Sequence, residues 1–306
     1  MPLVTPEQPL RDLTDDEVAA YRRDGAIRVS GVFSQDWVER LSDAVDHVLA
    51  NPSLLTQATA DFSAGRGTGD AFMWKTHSTF HEFVFRSPAA RIAQQLFGST
   101  TVTAFYDQIF AKPAGTKGAS PFHEDASSFP IRGEQVCAMW IALDPCGPDS
   151  SALRVVRGSH LWDRADAPVS SSLMQRIRTD ERAAPAAERP RQDVLDWNDE
   201  QVLGWDLEPG DAVVFHPGAL HGATGTGPDR GRRAFVSRWL GDGVTFKPDD
   251  AVLPILWDPG LTPGEPMGGS LFPKVLPEPD EAATRWEPQT PEPERLNQFL
   301  RKIGKA

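Results

Sequence analysis

Cysteine is scarce: Cys137 and Cys146 are the only two in 306 residues. That is too few for a disulfide framework, and both lie in or beside an apolar stretch, as expected of inert thiols in a reducing compartment. Long hydrophobic runs are also missing. No stretch approaches the ~20 apolar residues of a membrane span, so no membrane partner is expected. The N-terminal string MPLVTPEQPLRDLTDDE is rich in proline and acid and has no apolar core of a signal peptide, so a cytoplasmic protein is expected. Positive charge is in short supply, with 31 Lys and Arg against 43 Asp and Glu and a net charge of −12. A phosphate backbone would meet net repulsion, which speaks against a nucleic-acid partner. No internal repeat is visible. What the chain does have is ordinary globular composition, 40% hydrophobic and 24% charged, enough to bury a sizeable core. Its 27 prolines and 25 glycines imply many turns and disfavour a helical bundle.

The first hundred residues read as mainly helical. Thr14 with Glu17 forms a capping-box pattern, and Ser34 can cap a helix that places Trp37, Val38, Leu41, Val45 and Val48 on one face. Ser87-Pro88 opens a further segment ending at Gly98. From about Thr101 the texture changes to short apolar runs separated by Gly, Pro and Asp: TVTAFYDQIFAK, VCAMWIAL, ALRVV, DAVVFH and RAFVSRWL. Each has strand length and is rich in β-branched and aromatic residues, which predicts an antiparallel core. The polar segment of residues 163–201 is too long for a plain connection and reads as a lid-like insertion. After Gly241 the chain is Pro- and Gly-rich. It ends in an expected helix with Thr290 as cap, Pro291 at its first position, and Leu296, Phe299, Leu300 and Ile303 as a stripe packed on its own body.

Seven histidines are present, and only His123 is followed two residues later by a carboxylate, Asp125. In extended chain, positions i and i+2 share a face, so these two can offer an imidazole and a carboxylate to one ion while Glu124 points away. By itself H-x-D is weak, since a His-Glu-Asp string is most often a polar turn. A later histidine after a strand, on a neighbour only about 4.8 Å away, would complete a two-His-one-carboxylate set with open positions. His221 and His216 both qualify. His221 is preferred because Arg232 follows it by eleven residues, where a planar guanidinium can hold a distal carboxylate better than lysine would. The cluster Arg230, Arg232 and Arg233 also reads as a solvated strand edge.

The strings MWKTHSTFHEFVFRSPAARIAQQLFGS, FYDQIFAKPAGT, PFHED, GEQVCAMWIALDP, SALRVVRGSH, GDAVVFHPGALHGA and RRAFVSRWLGDG resemble, in the same order, the phytanoyl-CoA dioxygenase family of iron(II)/2-oxoglutarate oxygenases, particularly its bacterial small-molecule members. The resemblance implies a mainly β fold with flanking helices, a double-stranded β-helix (jelly-roll) core. It implies one oxygenase domain over residues 1–306: a helical part to about 100, the core at 101–245, and a C-terminal loop and helix at 246–306. It implies that His123, Asp125 and His221 bind Fe(II), that Arg232 binds the distal carboxylate of 2-oxoglutarate, and that Gln108 and Trp140 touch this cosubstrate, with O2 as the oxidant. Trp140 is otherwise a core aromatic.

The implied activity is hydroxylation or desaturation of a small organic molecule, such as a secondary metabolite, with release of succinate and CO2. Related halogenases carry Gly or Ala where Asp125 stands, so a carboxylate there disfavours halogenation. Departures from the family pattern are Glu124 beside His123, Thr224-Gly225-Thr226 where an Asn is frequent, and Gly241-Asp242-Gly243 where Gly-Asp-Asp is frequent. The walls of the substrate pocket are expected from Trp74, Phe129 and Trp162 and from the lid-like segment. Other readings are a zinc or nickel jelly-roll enzyme and a non-catalytic small-molecule-binding jelly roll. The acidic charge makes a nucleic-acid demethylase improbable. Substrate identity and oligomeric state have no readable signal.

Overall fold

The computed structural model describes residues 5–57, 68–162, 200–248, 253, 255–279 and 281–302. The expected lid-like insertion therefore falls almost wholly outside the described residues. The helices α1 (Asp15–Asp24), α2 (Gln35–Ala50), α3 (Ser78–Arg86) and α4 (Ala89–Phe97) precede the core. The Thr14 hydroxyl accepts from the Glu17 amide and the Glu17 carboxylate accepts from the Thr14 amide, closing the expected capping box. Gly25 ends α1 in the left-handed region at φ 79°, where a Cβ would run into the His160 ring. Ser34 caps α2, which buries Trp37, Val38, Leu41, Val45 and Val48 as the spacing predicted. Helix α3 carried no sequence mark, because its cap is His77 rather than one of the usual short polar residues.

Among the described residues thirteen strands follow the chain order β1 (Ala26–Val29), β2 (Thr68–Ala71), β3 (Val102–Lys112), β4 (Ser120–His123), β5 (Ile131–Arg132), β6 (Val136–Ala142), β7 (Arg154–Val156), β8 (Val202–Leu203), β9 (Ala212–Phe215), β10 (His221–Ala223), β11 (Arg232–Leu240), β12 (Thr245–Phe246) and β13 (Lys274–Leu276). Two of them, β1 and β2, lie in the part read as helical; each has only four residues, too short for a period-two signal to show. The larger sheet has the order β1-β9-β6-β11-β3-β13 with β2 on β3, the smaller β4-β10-β7-β8, and β5 pairs β12. All of these pairings are antiparallel.

Strand β6 explains how the layers stack. Cys137, Met139 and Ile141 join the cluster under the helices, whereas Ala138, Trp140 and Ala142 join the cluster shared with Val155 of the smaller sheet. Both faces are covered, so β6 reads as an unbroken apolar run instead of an alternating one. Both cysteines are free and buried, and burial pushes Cys146 up to about 11. Among the described residues no helix is long and apolar enough to cross a membrane.

The C-terminal helix α5 spans Pro293–Lys302 and starts two residues later than Thr290 and Pro291 suggested. The reason is local: Trp257 Nε1 donates to the Thr290 carbonyl, the Glu292 amide donates to Leu256, and the Glu292 carboxylate accepts from the Asp258 amide. Those bonds tie residues 290–292 to a loop. Phe299 is buried in a cluster with Trp257 and Phe272, and Leu296 packs on it, so the stripe covers the protein's own body. Ile303 lies outside the described residues.

Asp107 of β3 pairs with Ser237 and is buried. Burial pushes its pKa up to about 8, partly offset by backbone amides of Asp107, Trp74 and Met73. The folded chain thus keeps a proton that the unfolded chain releases near 3.8, and stability is lost as pH rises from there through about 8. Asp107→Asn should raise the unfolding temperature by about 2–4 °C per kcal/mol recovered, with a gain that grows from about pH 5 to pH 8 and then levels off. Thermal unfolding across that range checks it; a gain independent of pH would contradict the assignment.

Candidate metal centre

Strands β4 and β10 pair in a register that sets His123 directly opposite His221, with ring centroids 4.4 Å apart. Both rings face the space between the sheets, where Phe215 of the larger sheet lies 4.6 Å from His221. In each case ring Nδ1 meets the carbonyl two residues upstream, Pro121 for His123 and Ala219 for His221, both at 2.9 Å. A neutral imidazole donating from Nδ1 presents a bare lone pair at Nε2, as a metal ligand requires. Burial, then His123, lower the His221 pKa to about 4, so this ring stays neutral at ordinary pH.

Asp125 arrives by a different route from the one its spacing suggested. Strand β4 ends at His123, and Asp125 has helical φ and ψ, opening a 3-10 turn over Ala126–Ser128. It is placed by the Pro217 carbonyl, which accepts from the amides of Asp125 at 2.8 Å and Ala126 at 3.1 Å. Its Oδ1 then lies 3.6 Å from His123 Nε2 and 3.8 Å from His221 Nε2. All three ligand atoms fall within 4.8 Å of one another. Bonds of about 2.1 Å at right angles put donors about 3 Å apart, so the trio fits a single ion with a small side-chain adjustment. Burial works to raise the Asp125 pKa, but His221, Arg238 and His123 together draw it below the usual carboxylate range. The adjacent Glu124 is buried, and its Oε2 accepts from the Ser127 amide at 2.9 Å, capping the same turn.

Arg232 opens β11 and is 4% exposed. Its Nε donates to the Ser151 carbonyl at 3.0 Å, Nη2 to Ser151 Oγ at 3.1 Å, and Nη1 to the Phe110 carbonyl at 2.9 Å. The guanidinium lies 5.2 Å from the Trp140 ring centre. Among the described residues no carboxylate lies within ion-pair distance of it, and burial brings its pKa down to about 10, still cationic at neutral pH. Its neighbour Arg233 is on the other face, paired with Asp144 at 2.7 Å and Asp46 at 2.6 Å.

Ser151 sits at φ 69°; its Oγ donates to the Thr224 carbonyl, and its amide donates to Thr224 Oγ1. Thr224, in the Thr224-Gly225-Thr226 loop where the family often has an Asn, thus braces the serine that braces Arg232. With Arg232 as the expected anchor of 2-oxoglutarate, Ser151→Ala, which removes one acceptor of the guanidinium, should raise the 2-oxoglutarate requirement by roughly 3–10-fold with metal affinity unchanged. Steady-state KM together with metal titration separates the two effects.

Gln108 lies on the same β3 face as Phe110, but its Oε1 accepts from Arg238 Nη2 at 3.1 Å. That same Nη2 lies 3.2 Å from Asp125 Oδ2. Arg238 is the residue that sequence reading missed. It belongs to the β11 face that carries Arg232, Ala234 and Val236, and a charge at that parity inside RAFVSRWL was the available signal. Phe129 packs edge-on to Tyr106, and Arg238 lies 4.2 Å from the Tyr106 ring and 5.7 Å from that of Phe129. Trp74 instead packs with His81 and Phe85 in the helix-side cluster, and Trp162 is 49% exposed. Neither has a ring contact or hydrogen bond with the trio among the described residues. His216, the competing histidine, accepts from the Gly218 amide at Nδ1 within the turn before β10.

Facing antiparallel sheets with a two-His-one-carboxylate set between them define a jelly-roll protein with an open metal site. Residues 21–234 match the phytanoyl-CoA dioxygenase (PhyH) family, and the chain belongs to that family of iron/2-oxoglutarate-dependent oxygenases. Iron and 2-oxoglutarate are accordingly its cofactor and cosubstrate. Among solved structures it is similar to the non-heme alpha-ketoglutarate-dependent carbocyclase SnoK from nogalamycin biosynthesis, with TM-score 0.65 and 21% identity over 89% of this chain and 99% of that one. It is similar to the epimerase SnoN in complex with Fe3+, alpha-ketoglutarate and nogalamycin RO, with TM-score 0.64 and 23% identity over 85% and 98%. EctD from S. alaskensis, with 2-oxoglutarate and 5-hydroxyectoine, gives TM-score 0.61 and 20% identity over 87% and 90%. At these identities the likeness establishes the fold. No curated protein matches the chain at a significant level.

Proposed function

We propose that His123, Asp125 and His221 hold Fe(II), that Arg232 anchors the distal carboxylate of 2-oxoglutarate beside Trp140, and that the chain hydroxylates or desaturates a small organic molecule, with a secondary metabolite as the favoured class. The observation that carries this reading is a pair of opposed imidazoles, each with Nδ1 on a carbonyl, beside a buried guanidinium that has no carboxylate within ion-pair distance among the described residues. When bound, iron with 2-oxoglutarate and O2 supplies oxidation of a C–H bond with release of succinate and CO2. The residues supply the rest: Pro121 and Ala219 carbonyls orient the rings, Pro217 aims the carboxylate, and Ser151 with Phe110 holds the Arg232 fork open toward one side. Gln108 acts through Arg238 as a wall of the same space.

Anaerobic addition of Fe(II) and then 2-oxoglutarate to the apo-protein tests the reading. A weak visible band near ~500 nm is expected of a 2-oxo acid chelated to iron on such ligands. Its absence at saturating additions counts against the assignment. A screen of small molecules for stimulated succinate release then finds the substrate. The similar structures include a carbocyclase and an epimerase, and the mass of the product separates these outcomes: one oxygen gained, two hydrogens lost, or no change for epimerisation.

A further inference from the structure

Arg238 is 3% exposed and spends one nitrogen, Nη2, on both Gln108 and Asp125. Its Nε and Nη1 are buried without a hydrogen-bond partner among the described residues. Buried N–H groups of a cation are costly when unpaired, so native structures seldom leave two of them empty without a use. Tyr106 and Phe129, which flank the guanidinium, offer it their rings. The charge balance points the same way. Arg232 and Arg238 are buried cations beside the trio, whose one carboxylate is the half-buried Asp125. A divalent ion and a dianionic cosubstrate cancel each other, which leaves an excess of positive charge that a monoanion would neutralise.

We propose that Arg238 donates from its free N–H groups, Nη1 foremost, to an oxyanion of the primary substrate, which is therefore an organic acid (a carboxylate or an acidic enol or phenol) carrying a planar apolar body against Tyr106 and Phe129. This rests on the oxygenase reading above. It narrows the substrate from any small apolar molecule to an anion, and it separates two arginines on one strand face. Arg232 serves the cosubstrate. Arg238 serves the substrate while holding Asp125 Oδ2, which leaves Oδ1 to face the imidazoles.

The test uses the full chain loaded anaerobically with Fe(II) and 2-oxoglutarate, with benzoate as probe and benzamide as its uncharged counterpart of equal shape. Binding is followed through changes in the visible band and in tryptophan fluorescence. Benzoate should bind at least about tenfold more tightly than benzamide, a preference that Arg238→Gln removes while 2-oxoglutarate affinity stays within about threefold. Arg238→Lys keeps the charge beside Asp125 without the planar fork, and should cut the preference by about fivefold even if the glutamine variant fails to fold. The proposal is overturned if benzoate binds the native chain no better than benzamide, or if the preference survives in both variants. It is equally overturned if Arg238→Gln weakens 2-oxoglutarate as much as Arg232→Gln does, since those N–H groups would then serve the cosubstrate. Failure to form the visible band at all would instead sink the oxygenase reading.

Discussion

Asp125→Ala is expected to abolish succinate formation and to weaken metal binding by ~100-fold or more, beyond what changing an outer-sphere partner usually costs. Two physical losses combine. The ion loses its only anionic ligand among the trio, and Arg238 loses the carboxylate 3.2 Å away. An uncompensated buried cation costs about 3–5 kcal/mol, so the apo-protein should also melt earlier. Asp125→Asn separates the terms, because the amide oxygen can still accept from Arg238 while its neutrality weakens the metal. Isothermal titration with Fe(II) under anaerobic conditions, read alongside thermal unfolding, measures both. Normal turnover of Asp125→Ala with iron in excess would remove this residue from the metal site.

Arg232→Ala should raise the Kd for 2-oxoglutarate about 100-fold, corresponding to roughly 3 kcal/mol from two charge-assisted hydrogen bonds lost to a carboxylate. Metal affinity should stay within a few fold, since none of the three donors touches Arg232. Arg232→Lys is expected to recover only part of the loss, because a point charge cannot reproduce the fork. Arg233→Ala is the control. That residue faces outward against Asp144 and Asp46, and its removal should leave the 2-oxoglutarate Kd where it was. Equal effects from the two alanine variants would mean that the wrong guanidinium has been placed at the cosubstrate.

Much of the core was legible in the sequence because its strands are long or covered on both sides. The runs that became β3, β6 and β11 carry enough β-branched and aromatic residues to exclude a helical period. Caps at Thr14 and Ser34 announced α1 and α2, and Gly98 announced the end of α4. Short elements escaped: β1 and β2 have four residues each, and a histidine caps α3. The C-terminal helix began late because the Trp257 side chain and the backbone of Leu256 and Asp258, in a distant loop, claimed residues 290–292, a tertiary effect with no local mark.

The site shows a similar division. His123 and His221 were readable from their place beside strands. The convergence of Asp125 with them was anticipated on the ground that the chain is extended there, whereas a turn and the Pro217 carbonyl do the placing. Arg238 was overlooked because an arginine inside a strand reads as an edge charge until pairing shows that β11 is a central strand with both flanks occupied. Counting parity from Arg232 would have found it.

Each imidazole takes its orientation from a peptide oxygen only two positions upstream, at Pro121 and at Ala219. The tautomer of either ring is thus written into a tripeptide and owes nothing to the aromatic and cationic walls nearby. The aromatic walls can be remodelled for a new molecule without retuning either imidazole, whereas a change at Arg238 also releases Asp125, so redesign of specificity in this scaffold should start from the rings and leave that arginine in place.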